Sequence, residues 1–576
     1  MRRIVGVFIA SLFFVDLALA AGCHLIGGAG DYHITGAGGA GVGGTNATST
    51  GGSGGEMPPT CDEHVDCPNG ALCASNEECA SMFCMDGHCC GSACMGICEA
   101  CDNAFGECRP VAGGTTGSDC NPGVCDGSGA CSKGGFRWVL QIGNGGHDVE
   151  VTGVAQAADG AVYLVGTFED TVTFGPGAEP TTSGGNTDAF LAKYSSVGEL
   201  QWVRSWGNGG QDVVPTGVYV SSVGVVVAGE FKDDLVIEGI ELNPDGMHRQ
   251  GFVAGFTTTG TALWAHHYGN DAHDTNLHGV AGSGDRLVVV GEFDGDVVFD
   301  GVNAVPSIGA KRDVFVLGLD LQGGFRFVVP FGDGANDQHV EGVAVAEDGS
   351  AVVVGRFAGQ VDFGGGSVAS AGTTFDAFAA SYAEDGTLEW LRRWGDGVSD
   401  QFAESVAIDA AQDVYVAGRL KTAGVPIAGV TVSSTSTAKY DAYAARFSAT
   451  GDGIWAMALG DGVEDHFGNA IAAFPKGGAV LVGDYAGTLH QFPDSPSSVT
   501  DKRDVYALRF SPEGFILWSR SYGEGGHDQH GLAVAVTPEQ IVLGGGFVGM
   551  GVPFDRASPS DSLGNVYDGF ALALEP

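Results

Sequence analysis

From residue 136 onward the chain is a succession of short apolar runs separated by Gly- and Asp-rich breaks. In the first cycle the runs fall at 152–157, 161–168, 189–194 and 201–206. Each is rich in Val, Ala and aromatic residues, alternating or continuously apolar, and ends at an Asp-Gly or Gly turn. That is the pattern of a β-strand. No cycle carries a 3.6-residue apolar period long enough for a helix. The expected fold class is all-β.

The cycle recurs seven times. An aromatic opens each unit: Trp138, Trp202, Trp264, Phe327, Trp390, Trp455 and Trp518, at separations of 64, 62, 63, 63, 65 and 63 residues. Five residues on stands a Gly: Gly143, Gly207, Gly269, Gly332, Gly395, Gly460 and Gly523. Five further on stands an Asp: Asp148, Asp212, Asp274, Asp337, Asp400, Asp465 and Asp528. Gly-x-aromatic follows, as in Gly166/Phe168, and then Asp-x-aromatic, as in Asp188/Phe190. Gly418/Leu420 and Gln250/Phe252 are the exceptions. Four strands repeated radially make a propeller blade, so seven units predict a seven-bladed β-propeller over 136–576. The chain enters on Phe136–Ile142 and ends at 571–574, one strand short of a full blade. The first strand is therefore expected to complete the last blade, which closes the ring and removes an exposed edge.

The motifs Val-Ala-x-x-x-Asp-Gly-x-Val-Tyr-x-x-Gly at 154–166, Asp-Ala-Phe-x-Ala-Lys-Tyr at 188–194 and Gly-x-x-x-Trp at 198–202 resemble the bacterial seven-bladed β-propeller (SBBP) repeat. The resemblance covers 136–576. It implies the same fold in an extracellular or surface protein, and no particular activity.

The N-terminal pattern is different. Arg2 and Arg3 precede an apolar run at 4–15, then Leu19-Ala20-Ala21-Gly22-Cys23. The run is short for a bilayer span and suits a signal peptide. The last five residues resemble the lipobox of bacterial lipoproteins. That implies a signal peptide at 1–22, lipidation of Cys23 and export to the cell surface or, with His24 rather than Asp following, to the outer membrane of a cell that has one. An ordinary signal peptide cut near Ala20 or Ala21 is the alternative. Residues 23–60 are Gly-, Ser- and Thr-rich and cannot bury a core, so they read as a flexible tether reaching on the order of 35 Å. Residues 61–131 hold Cys61, Cys67, Cys73, Cys79, Cys84, Cys89, Cys90, Cys94, Cys98, Cys101, Cys108, Cys120, Cys125 and Cys131. Fourteen is an even set that can close as disulfides in a module too poor in apolar residues to fold without them. The fifteenth cysteine is Cys23.

Charge narrows the partners. Lys and Arg number 26 against 70 Asp and Glu, a net −44. Such a surface repels nucleic acid and anionic membranes and attracts cations. The membrane is expected to be reached through the lipid alone, the other partner being a protein or polysaccharide and the propeller a monomer.

Two sets of residues carry candidate chemistry. The first is the loop that reads GNGGHD at 143–148 and GDGVED at 460–465, ending at the seven aspartates above. Its Gly permits unusual backbone angles and its Asp can bind backbone N–H groups, a structural role. The same oxygens are hard ligands, so calcium at these aspartates is the functional alternative. The second set lies two and four residues beyond the loop Asp, at the start of the inner strand. Strand alternation puts both positions on one side. If that side faces the axis, one mouth of the channel carries His278, His339, His530, Glu150, Glu341 and Glu404, a place for a transition metal or small polar ligand.

No Gly-x-Ser-x-Gly, His-Glu-x-x-His or Walker loop occurs. The turn before Trp518 is similar to the sialidase Asp-box, but there the Trp follows the Gly by three residues, and here by four. The expected function is a non-enzymatic surface scaffold for protein or polysaccharide. The alternatives are an extracellular polysaccharide hydrolase or lyase working at the propeller mouth, and a calcium-stabilised envelope protein.

Overall fold

The computed structural model describes residues 134–576 except for short loop segments, the longest being 490–501 and 555–565. It also gives the backbone of six two-residue strands between Cys84 and Ser132, where Cys84–Met85 pairs with His88–Cys89 and Val124–Cys125 with Cys131–Ser132. The expected signal peptide at 1–22, Cys23, the expected tether at 23–60 and the side chains of residues 61–131 lie outside the described residues.

Seven four-stranded antiparallel sheets follow one another. Blade 1 is Val149–Gln156, Val162–Phe168, Asp188–Tyr194 and Leu200–Trp206, in that order from inner to outer. The inner strands of blades 2 to 7 are Val214–Val220, Thr275–Ser283, His339–Val345, Phe402–Ile408, His466–Ala473 and Gln529–Val536. Each touches the inner strand on either side, and the seventh touches the first. Phe136–Ile142 pairs with Asp568–Leu574 as the outer strand of blade 7, in the register Gly569↔Ile142 to Leu574↔Phe136. The ring closes as the sequence predicts, and no helix occurs among the described residues.

The second and third strands of each blade are buried almost throughout, which is why they read as continuous apolar runs. The core is a series of layers between neighbouring blades. One layer joins Tyr163, Val165 and Leu191 of blade 1 to Val225, Val227 and Phe252 of blade 2. A fully buried side chain of this size contributes about 1.5–3 kcal/mol.

The repeated motifs hold this frame together. The loop Gly ends the outer strand against the Asp that starts the third strand of the same blade. A Cβ on Gly207, Gly332 or Gly395 would fall 1.9, 1.7 or 1.8 Å from an oxygen of Asp188, Asp313 or Asp376. Only Gly leaves room for the carboxylate. At the other end of the blade, the turn glycine of Gly-x-x-x-Trp packs on the aromatic of the preceding blade. Gly198, with φ +81°, lies under Trp138, and Gly134 lies under Trp518, which extends the closure. The indole of Trp138 also donates to Ser196 O at 3.0 Å, and that of Trp390 to Ala449 O at 2.9 Å.

Boundaries differ modestly from expectation. The first inner strand starts at Val149 rather than 152, because Val149 N–H donates to Tyr567 O across the blade boundary at 2.8 Å. The stretch between second and third strands, read as a plain loop, forms a small hairpin in blades 1, 2, 4 and 5. In blade 1 Phe174 is buried edge-on against Phe168 and Phe190, and in blade 4 Phe363 is buried edge-on against Phe357 and tilted on Phe378.

Candidate functional site

Every inner strand carries a β-bulge. In blade 1 Val151 faces Gly166 and Gly153 faces Val165, so Thr152 is the extra residue. The equivalents are Thr216, His278, Glu341, Glu404, Asn469 and Leu532. Bulges re-aim side chains and recur beside binding sites. Thr216, Glu341, Glu404, Asn469 and Leu532 line a central cavity of about 220 Å³. Val154, Val218, Val280, Val343, Val406, Ile471 and Val534 line it as well, so a β-branched ring adjoins the polar one.

The loop aspartates lie between blades. Asp274, Asp337, Asp400, Asp465, Asp528 and Asp148 each accept, through Oδ1, the N–H of the residue before the third strand of the preceding blade, at 2.8–3.1 Å. The residue after each loop Asp, Asp212 included, returns a bond to that residue's carbonyl, as Gln401 N does to Phe375 O at 3.0 Å. This two-bond staple pairs both backbone groups at six of the boundaries, and among the described residues the second bond alone is made at the blade 1/2 boundary. In three blades the other oxygen faces a lysine: Asp337 and Lys311 at 3.7 Å, Asp465 and Lys439 at 3.6 Å, Asp528 and Lys502 at 3.1 Å.

The mouth holds three groups of side chains. The first joins blades 3 and 4. Glu292 is 2% exposed, and its Oε1 accepts from His339 Nδ1 at 3.1 Å and Val340 N at 3.3 Å. His278 Nε2 lies 3.4 Å from the same oxygen, long for a hydrogen bond but within ion-pair reach. Arg312 Nη1 donates to Oε2 at 3.2 Å. Burial alone would raise the Glu292 pKa; the hydrogen bonds and charges of His278 and His339 outweigh it and hold the carboxyl well below its usual range. Burial likewise opposes the charge on His278, but Glu292 prevails and raises its pKa.

The second group runs across blades 4 to 6 as guanidiniums alternating with rings. Arg356 stands 4.8 Å from the Phe402 ring centre, Arg419 4.3 Å from Phe402 and 5.0 Å from Phe467, and Arg503 4.3 Å from Phe467. Arg356 pairs with Glu341, and Arg419 with Glu404 at 3.2 Å. Glu404 is pushed up to about 7, because burial outweighs the nearby Arg419 charge.

The third group joins blades 6, 7 and 1. Asp484 Oδ2 accepts from His530 Nδ1 at 2.9 Å, and His530 Nε2 is 2.9 Å from the Tyr567 hydroxyl. Gly531 N–H donates to Asp484 Oδ1 at 2.8 Å. Blade 7 has Gly546 where other blades carry a larger residue, and a Cβ there would lie 3.0 Å from Glu150 and 3.2 Å from Tyr567. The glycine makes room for both. Burial raises the Glu150 pKa against the charge of His530. The Asp484 hydrogen bond raises that of His530 over its desolvation.

The six mouth residues expected from sequence thus fall into separate groups. His278 and His339 meet at Glu292, whereas His530 belongs to blade 7, three blades from each. Glu341 and Glu404 line the channel and pair with arginines of their own blades. Glu150 joins the His530 group. Among the described residues no group of three or more His, Cys, Asp or Glu is placed to hold a metal ion.

Sequence reading passed over two sets. One is the x of Gly-x-aromatic: Thr167, Glu230, Glu292, Arg356, Arg419, Asp484 and Gly546, each directly across from the first mouth residue of its own inner strand. The other precedes the third strand and includes Arg249, Arg312, Phe375, Tyr440, Arg503 and Tyr567. A signal was present, since x is charged in five of seven blades between fixed neighbours.

A second cavity, of about 440 Å³, opens between blades 1 and 2 where the inner strands end. It is lined by turn residues, with Lys193 over the Tyr163 ring and bonded to Thr258 O at 3.3 Å. It is larger but holds fewer charged or aromatic groups than the mouth.

No protein-family model matches the chain, and no curated protein matches it. Among solved structures it is similar to a protein of unknown function from Dyadobacter fermentans, at 11% identity and TM-score 0.32 over 76% of this chain and 98% of that one. It is similar to a catalytically inactive virginiamycin B lyase from Staphylococcus aureus with quinupristin, at 7% identity and TM-score 0.28 over 60% of this chain and 95% of that one. It is also similar to the tricorn protease, at 9% identity and TM-score 0.28 over 69% of this chain and 36% of that one.

Proposed function

We propose that the protein is a cell-surface lipoprotein, held by a lipid on Cys23 and the 23–60 tether, whose propeller is a binding scaffold for a polysaccharide or protein docking at the channel mouth. One observation supports this reading above others. The frame residues are nearly the same in every blade, whereas the mouth residues differ from blade to blade and bring charges and half-buried rings together. A repeat that served packing alone has no need of that asymmetry. Two measurements test the proposal. Palmitate labelling and fractionation should place the wild type in the membrane and Cys23→Ala in the soluble fraction. A panel of envelope polysaccharides and surface proteins should yield a ligand whose binding falls with His339→Ala or Arg419→Ala but not with Lys193→Ala in the separate cavity between blades 1 and 2. Binding that survives the mouth substitutions and fails with Lys193→Ala sinks the reading.

The hydrolase or lyase alternative is favoured by one feature, the chain Asp484–His530–Tyr567, since a histidine fixed by a carboxylate is a common proton-transfer device. Depolymerisation of the bound polymer, abolished by His530→Ala, would support it.

A further inference from the structure

Two blade boundaries are built alike, and their difference is informative. At the blade 3/4 boundary Glu292 has enough reach to serve both sides. One oxygen takes His339 and Val340 N–H of blade 4, and the other takes Arg312 of its own blade. At the blade 6/7 boundary Asp484 stands in the place of Glu292, Arg503 in that of Arg312, and His530 and Gly531 in those of His339 and Val340. Aspartate is one methylene shorter. Both of its oxygens are engaged by blade 7, Oδ2 by His530 and Oδ1 by Gly531 N–H. Arg503 is left with no carboxylate partner among the described residues. It rests on the Phe467 ring at 4.3 Å. The other mouth arginines all have one: Arg249 with Glu230, Arg312 with Glu292, Arg356 with Glu341 and Arg419 with Glu404. In a chain with 70 acidic and 26 basic residues, Arg503 thus differs from the other mouth arginines, among the described residues, in having an aromatic ring and no carboxylate beside it.

Its surroundings add to this. Tyr567 supplies a hydroxyl, bonded to His530 Nε2, where blade 4 has Phe375 packed on His339 without one. Tyr567 also lines a small cavity of about 200 Å³ with Lys502, His527 and Asp528. A guanidinium fork with no carboxylate beside it among the described residues suits a carboxylate, half-buried rings suit the face of a sugar, and a Tyr–His pair suits ring hydroxyls.

We infer that the blade 6/7 boundary is a subsite for a carboxylate-bearing sugar, with Arg503 on the carboxylate and Tyr567 and His530 on neighbouring hydroxyls. This rests on the reading of the mouth as a ligand-binding surface and names the ligand class. The aromatic lining favours a uronate glycan over an acidic peptide. The full chain would be titrated calorimetrically with hexagalacturonate, with neutral maltohexaose and with a hexaglutamate peptide. The wild type is expected to bind hexagalacturonate in preference to both. Arg503→Gln should weaken that binding at least tenfold, as expected for one charge-assisted contact. Asp484→Glu should weaken it comparably, because the longer side chain reaches Arg503 as Glu292 reaches Arg312. Circular dichroism and the melting midpoint of each variant verify that the fold persists. No binding of hexagalacturonate, equal binding by wild type and Arg503→Gln, or preference for either other probe overturns the inference. The scaffold reading survives such a result if another ligand remains sensitive to His339→Ala, and falls with it if none does.

Discussion

Gly395→Ala is a sharp test of how the frame is held. The new methyl carbon would lie 1.8 Å from Asp376 Oδ1 and 2.1 Å from Cγ. Asp376 is fully buried and cannot swing into solvent. Its Oδ2 accepts from Ala371 N–H at 2.8 Å and from Arg393 at 2.6 Å. Moving the carboxylate strains or breaks the first bond, and a hydrogen bond to a charged group is worth about 1.5–3 kcal/mol. The Arg393 side chain is 38% exposed, so screening reduces its share to about 0–1 kcal/mol. Overpacking adds about 1–3 kcal/mol. The expected loss is about 3–7 kcal/mol. For a unit of roughly 440 residues each kcal/mol shifts the midpoint by about 1 °C, so a fall of about 3–7 °C is expected by circular dichroism. Asp376→Gly in the same chain removes the clashing group, and the double mutant should show a coupling of about 2 kcal/mol. A fall below about 1 °C, or strictly additive single effects, would refute the assigned role of the Gly–Asp pair.

Three further expectations follow from the same geometry. Deleting residues 1–142 should abolish cooperative melting and promote aggregation, because the third strand of blade 7 loses its partner; deleting 1–133 should not. Glu404, with its folded-state pKa raised to about 7 from an ordinary 4.5, holds a proton that the unfolded chain releases, so its contribution to stability is present at low pH and falls between about 4.5 and 7. Denaturant titrations should show Glu404→Gln gaining about 3 kcal/mol on the wild type across that window, and a constant difference would contradict this. Calcium at the loop aspartates would raise the melting midpoint and EDTA would lower it; the staples and the facing lysines predict no shift with either.

Much of the frame was legible because physical necessity repeats. Each blade needs the same glycine beside the same aspartate, and the same turn glycine under the same aromatic, so alignment of the units exposes them. The closing strand was legible for a related reason, since a chain one strand short at its end has one to spare at its start. The mouth was only half legible. Its inner-strand residues stand a fixed distance from the loop Asp. Glu292, Asp484 and the arginines hide inside motifs whose flanking residues drew attention. That three histidines separate into two groups depends on which blades meet across the ring. The release of Arg503 depends on a single methylene, Asp in place of Glu, which matters only once the partners on both sides are known.

Hydrogen exchange of the full chain, with and without a bound polymer, tests the placement of the ligand most directly. Docking at the mouth predicts protection at 484–485, 502–504, 529–531 and 566–568, with the turns at 157–160 and 195–198 unchanged. Protection confined to those turns, or none at the mouth in the presence of a saturating ligand, would contradict it.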